Sequence, residues 1–207
     1  MNITISENYD LPDCDLMQSG KNLSGLKVWE PEQVLVILGK GSDPQDELRE
    51  DNILRDKIPV IKRSTGGCAV IVAPAMFVAS FVIPNDPAQK NNEYFDLFNN
   101  TLLTAFQKIG VQNLATAGIS DITLNGLKTV GSAIYRNKDQ VFYHAVINIA
   151  GDIDLMEKYL KIPTRQPDYR KNRTHRDFVT SFKTQGYQIE REDFERALKS
   201  EWLWHFK

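Results

Sequence analysis

Asn125-Gly126, set between the apolar run 122–124 and the run 128–135, limits what this chain can fold into more than any other feature. An Asn-Gly pair is a strong short-range signal for a hairpin turn, so the flanking runs are expected to be antiparallel neighbours. Leu124 and Lys128 then stand on adjacent strands. The same pattern recurs along the chain, where 34–38, 58–61, 69–72, 76–83 and 141–149 are short apolar runs of strand character. Turn signals divide them at Gly66-Gly67 and Ala73-Pro74, and Pro84-Asn85-Asp86-Pro87 ends the first group.

Helical patterns fill the intervals. Residues 92–109 carry Phe95, Phe98, Leu102, Phe106 and Ile109 at spacings of three and four, an amphipathic helix that Gly110 closes. Residues 46–55, with acidic residues in the first turn, and then 152–160, 174–183 and 191–206 read as further helices. Trp202, Trp204 and Phe206 give the last one an apolar load, as a lid packed on the core. This mixture predicts an α+β (mixed α/β) fold with a largely antiparallel sheet flanked by helices. At 207 residues the chain can bury one sizeable core, and a single domain over 1–207 is expected.

Two blocks carry the chemistry. In Lys62-Arg63-Ser64-Thr65-Gly66-Gly67-Cys68-Ala69-Val70 a basic pair runs into a small-residue turn, where backbone can approach an anionic or carbonyl-bearing ligand closely. In Ser120 to Ala133 one lysine, Lys128, is planted on a strand that is otherwise apolar or small. Each feature also has a plain reading. A hairpin lysine is usually a solvated edge, an arginine such as Arg63 an ordinary surface group, and His144 a satisfied core histidine. Further on, Arg165, Arg170, Arg173, Arg176 and His175 form either a solvated charged loop or a phosphate-facing patch, and the solvated loop is the expectation.

The two blocks, in this order, resemble the biotin and lipoate protein ligase superfamily, and most nearly its lipoate-protein ligase A catalytic domain. Lys62 to Val70 is similar to the family's Arg-Arg-x-Ser/Thr-Gly-Gly-Gly-x-Val, and Ser120-Asp121 with Lys128, Gly131, Ser132 and Ala133 to its Asn-Asp and Lys-x-x-Gly-Ser-Ala. Leu26 to Pro31 and then Val34 to Gly39 resemble its opening strand pair, and His144 sits where it has His-Gly. The resemblance implies an ATP-dependent enzyme that makes an acyl-adenylate from lipoate or octanoate and passes the acyl group to a lysine of a lipoyl domain. Lys128 is the implied catalytic residue. Arg63, Thr65, Gly66, Gly67, Cys68, Ala69 and Val72 are the implied acyl and adenylate contacts of the first block. Asp121, Gly131, Ser132, Ala133 and His144 complete the set, with Asp121 holding either magnesium or the hairpin.

The chain departs from the family at four positions. Val72 and Ala73 replace His-Asp, Cys68 replaces the third glycine, and Ala145 follows His144 in place of glycine. A more apolar wall at Val72 and Ala73 favours a plain acyl chain over lipoate. An octanoyltransferase of the same fold, fed by acyl carrier protein through a thioester on Cys68, is the second reading; another branch's nucleophile corresponds here to Val141. A non-catalytic binder of lipoyl domains or acyl groups is the third. The resemblance implies that the small C-terminal domain of many lipoate ligases is either replaced here by the terminal helices or supplied as a separate partner.

Composition narrows the partners. A net charge of −2 and a pI near 6.0 argue against a nucleic-acid partner held by bulk charge. No apolar run reaches 18 residues and the N-terminus lacks the pattern of a signal peptide, so no membrane partner and a cytoplasmic address are expected. Cys14 and Cys68 alone make neither a disulfide framework nor a zinc cluster.

Overall fold

The computed structural model describes residues 3–19 and 23–205. Strand β1 (Ile5–Ser6) and helix α1 (Cys14–Gln18) lead into β2 (Gly25–Trp29), β3 (Leu35–Leu38), α2 (Pro44–Glu47), α3 (Glu50–Asp56), β4 (Val60–Lys62), β5 (Val70–Val72) and β6 (Phe77–Pro84). Helix α4 (Asn91–Lys108) crosses to β7 (Leu114–Ala117), β8 (Asp121–Leu124), β9 (Leu127–Arg136) and β10 (Gln140–Ile147). The remainder is α5 (Asp154–Tyr159), a 3-10 turn at Asp168–Arg170, α6 (His175–Phe178) and α7 (Arg191–His205).

Two sheets result. The larger is antiparallel throughout, in the order β2-β6-β10-β9-β8-β7. The smaller runs β1-β4-β3-β5, with β4 parallel to both β1 and β3. Strand alternation assigns each side chain to a layer. On the outer face of the larger sheet Ala79, Phe81, Val130 and Tyr143 pack with Phe98, Leu102 and Phe106 of α4 and with Phe194 and Trp202 of α7. On its inner face Trp29 and Val78 meet Leu35, Ile37 and Val72 of the smaller sheet, together with Tyr9 and Leu11. The smaller sheet's far face, Val36, Leu38, Ile71 and Ala73, is covered by Leu48, Ile53, Tyr159 and Leu160.

The α+β architecture with helix-flanked antiparallel sheet is therefore as expected, and the long helix ends at Gly110, whose φ is +90°. Several elements differ. The predicted helix 46–55 is interrupted at Leu48 and Arg49, because Leu48 is buried in a bridge to Leu160 and the Arg49 N–H donates to the Tyr159 carbonyl at 2.9 Å. The predicted helix 174–183 stops at Phe178; Val179 is extended and bridges Lys128, and the Thr180 N–H donates to the Lys128 carbonyl at 2.8 Å. The two opening strands are not a pair. β2 joins β6 in the larger sheet while β3 joins β4 and β5 in the smaller. Trp202 packs on Phe81 at 5.3 Å, whereas the Trp204 side chain and Phe206 lie outside the described residues.

Candidate active site

A cavity of about 840 Å³ opens where the inner face of the larger sheet meets the loop ahead of β5 and the tail after α5. Its lysine is delivered by the hairpin. Asn125 and Gly126, at φ 52° and 79°, turn β8 into β9, and the ladder then slips: Thr123 opposes Lys128, but Ile122 opposes Val130. Strict alternation would place residues three apart on opposite faces. The bulge adds one residue and brings Lys128 and Gly131 to the same inner face. A Cβ on Gly131 would lie 2.8 Å from Lys128 Cε and 2.9 Å from Nζ, so glycine there is what leaves room for the lysine. Lys128 Nζ donates to Asp121 Oδ1 at 2.7 Å, and Tyr169 Oη donates to Asp121 Oδ2 at 2.7 Å. Burial, reinforced by the Asp121 charge, pushes the Tyr169 hydroxyl up, so it remains a donor.

The opposite wall is the Gly-Gly loop. Arg63 is buried and donates to the carbonyls of Ile37 at 3.0 Å, Gly66 at 2.7 Å and Cys68 at 2.9 Å. Burial pulls its guanidinium down to about 10, which leaves it charged at neutral pH. A Cβ at Gly39 would stand 1.9 Å from the Gly67 carbonyl oxygen, so the loop meets the end of β3 backbone to backbone. Thr65 Oγ1 and His144 Nε2 are 2.8 Å apart, and His144 Nδ1 lies 3.8 Å from Asp13 Oδ2. Asp13 is fully buried, accepting from Ser80 at 2.6 Å and Tyr9 at 3.0 Å. Burial alone would raise its carboxyl; the contact with His144 and the two hydroxyls outweigh that and hold it below the usual carboxylate range. Burial also lowers His144, keeping the ring neutral.

The anticipated residues divide three ways. Arg63, Gly66, Gly67, Cys68, Ala69, Val72, Asp121, Lys128, Gly131, Ser132, Ala133 and His144 all border the cavity, and Thr65 stands behind them on His144. Ser132 contributes backbone only, because its hydroxyl donates to the Ser120 carbonyl at 2.7 Å. Ala73 is not part of the wall: one residue beyond the inward Val72, it points to the far cluster of Val36, Leu38 and Tyr159. The Ala69 N–H is taken by the Glu47 carboxylate. Burial and Glu47 push the Cys68 thiol up, the reverse of what a thioester-forming nucleophile needs, and Val141 is buried in the outer core. Asp121 has both oxygens engaged, and among the described residues no group of three acidic, histidine or cysteine side chains could hold a metal, so this donor set does not suit a resident magnesium ion.

The tail corrects another expectation. Arg170 and His175 are each 5% exposed and border the cavity, while Arg165 and Arg176 are exposed, Arg176 paired with Asp154 at 2.5 Å. Tyr9, Asp13 and Tyr169 were not anticipated. Tyr169 and Phe178, whose rings lie 5.1 Å apart, were the available sign that this charged stretch packs.

A sequence model of the lipoyl protein ligase A/B catalytic domain matches residues 6–203. The chain belongs to this family. Lipoate–protein ligase 1 of Staphylococcus aureus is 28% identical over 127 residues, 61% of this chain and 38% of that protein. The chain spans about two fifths of the length of the curated relatives it matches. In fold it is similar to the bipartite lipoate protein ligase of Thermoplasma acidophilum, described with its E2 lipoyl domain, with a TM-score of 0.77 at 19% identity over 91% of this chain and 74% of that one. A lipoate-protein ligase A bound with ATP gives 0.76 at 20% identity, over 91% and 76%. The family's catalytic-domain fold is what the two blocks implied.

Proposed function

We propose that this chain activates a lipoyl or medium-chain acid with ATP and attaches the acyl group to a lysine of a lipoyl domain. The observation that carries the reading is Lys128, seated over Gly131 on the wall of a cavity whose size suits a small ligand. In the first step an acid oxygen attacks the α-phosphorus of ATP, the bond to the diphosphate breaks, and diphosphate leaves. In the second the acceptor amine attacks the acyl carbonyl and AMP leaves with the bridging oxygen. Both steps build negative charge on carbonyl or phosphate oxygens, which the Lys128 ammonium can meet from one fixed position. Asp121 and Tyr169 hold it there beforehand. Magnesium belongs in this scheme with the nucleotide, as part of the substrate.

The apolar arm of the cavity, with Trp29, Ile37, Val72, Val78 and Val146, would take the acyl chain. Each buried methylene contributes roughly 0.8 kcal/mol, and Val72 offers no polar partner to a dithiolane. Octanoate should therefore bind at least as well as lipoate. The acceptor is a lipoyl domain; a separate accessory domain is a further partner, on the precedent of the bipartite relative. A single-domain organisation and a cytoplasmic address complete the reading.

Mass spectrometry of an isolated lipoyl domain incubated with the chain, ATP and octanoate or lipoate tests it. Acyl addition with diphosphate release is expected. Addition only from acyl carrier protein, abolished by Cys68→Ser, would replace it with the transferase reading, and binding without any addition would leave the acyl-binding relative.

A further inference from the structure

Arg170, on the 3-10 turn, and His175, opening α6, are cations or potential cations on the cavity wall that the acyl chemistry above leaves idle. Both are more than nine-tenths buried, and Arg170 Nη2 and His175 Nδ1 have no hydrogen-bond partner. The Arg170 fork is not free to turn elsewhere. Its Nε donates to the Arg173 carbonyl at 3.1 Å and its guanidinium carbon sits 4.8 Å from the Phe178 ring centroid. Glu157 Oε2 is 3.9 Å from His175 Nδ1, too far for a hydrogen bond, and its Oε1 already accepts from the Arg176 N–H.

Buried polar atoms without partners are rare in folded proteins and point to a water or ion that belongs there; Arg170 Nη2 can only donate, and His175 Nδ1 donates when the ring is charged. Here the group called for is anionic. Of the carboxylates that border the cavity, Asp121 is committed to Lys128 and Tyr169 and Glu47 to Ala69, while Asp168 is exposed to solvent at the start of the 3-10 turn. Lys128, Arg170 and His175 arrive from three separate elements around the same space. A carboxylate, with two oxygens in one plane, would satisfy only part of such a set; tetrahedral phosphate oxygens can accept from all three directions.

We propose that Arg170 and His175, together with Lys128, form a subsite for a phosphate-type oxyanion, filled in the reaction by the diphosphate that leaves as the acyl-adenylate forms. The assignment of that occupant rests on the adenylation reading. Burial and then the Arg170 charge hold the His175 ring down to about 4, with Lys128 and Arg49 adding to the effect and Glu157 opposing it. An anion seated among these groups reverses that balance, so His175 reports occupancy directly.

The experiment is titration of the full chain with inorganic diphosphate, followed by calorimetry and by NMR of labelled histidine rings. Saturable binding is expected, with the His175 signals shifting and the His175 titration midpoint rising, while His144, held by Thr65, stays in place. Arg170→Lys keeps a charge but removes the fork and should weaken binding about tenfold or more, the loss of one charge-assisted hydrogen bond. His175→Gln should weaken it several-fold. Each variant is checked by its melting curve, and the His175 shift in the natural chain needs no variant. No binding, binding that both folded variants retain in full, or displacement of diphosphate by octanoate would each overturn the proposal. Diphosphate binding at His175 without ATP-dependent acyl transfer would sink the ligase reading alone. Transfer with no diphosphate response at His175 would sink this one alone.

Discussion

On one side of the cavity Arg63 donates to three carbonyls in and beside the loop it braces, and Thr65 is tied through His144 to the buried Asp13; only the Arg63 Nε lacks a partner. On the other side Arg170 and His175 are as deeply buried, yet the atoms that could bind most strongly are unpartnered. The loop wall is finished by the fold itself. The tail wall is finished only when something negative arrives. A rigid surface of that first kind selects by shape and close backbone approach, and a surface of the second kind selects by charge.

Lys128 stands between the two walls, and its loss should have the largest effect. Lys128→Ala is expected to lower acyl transfer by about a hundredfold or more, the usual cost of removing a preorganised electrostatic group, with the melting temperature little changed. Transfer at the natural rate would show that neither wall serves the chemistry proposed.

Stability measurements sharpen the contrast next. Arg63→Met leaves three carbonyls without their donor and should cost about 3 kcal/mol or more in denaturant unfolding. Arg170→Met, in the ligand-free chain, removes one backbone hydrogen bond and a cation-aromatic contact and should cost about 1 to 2 kcal/mol. Equal costs would erase the distinction between a finished and an unfinished wall.

Acid should reach the tail wall before neutral conditions trouble either. His175 is held to about 4 in the fold, against roughly 6.5 in an unfolded chain. The unfolded chain therefore binds more protons across that window, and stability falls as pH falls from about 6.5 towards 4. Thermal melts at closely spaced pH values check the slope, which His175→Gln should flatten and which added diphosphate, by raising the midpoint of the ring in the fold, should flatten as well.

The smallest effect belongs to Cys68. Cys68→Gly should change stability by about 1 kcal/mol at most and leave acyl transfer from free acid intact, because the thiol is weakly acidic and its carbonyl, not its sulfur, is what Arg63 grips. Lost turnover in this variant would turn the loop wall from a scaffold into a participant.

Legibility in the sequence followed the same division. Asn125-Gly126, the Lys128 strand and the apolar spacing of α4 are local patterns, and each element formed as read. Arg63 and the Gly-Gly turn were legible as a site, though not that the arginine grips its own loop. What stayed hidden depended on distant partners. Leu48 breaks a helical pattern to reach Leu160, and Val179 leaves one to reach Lys128. Asp13 gave no local sign, since Tyr9, Ser80 and His144 meet it from separate parts of the chain. Val72 and Ala73 could have been separated, because adjacent strand residues face opposite ways and only one of them can line a cavity.

The slip between β8 and β9 has a consequence that concerns counting rather than chemistry. Lys128 faces the cavity only because one extra residue lies between its partner row and that of Val130. Moving Thr129 into the place opposite Thr123 would close the bulge and reverse the parity of Lys128, swinging the ammonium towards the apolar layer under α4, whereas deleting Thr129 would leave Lys128 opposite Thr123 on the inner face. What aims the lysine is thus its row opposite Thr123, not the identity of the bulged residue. In a set of natural or engineered variants, the bulged position should vary in spelling while Lys128 keeps its row.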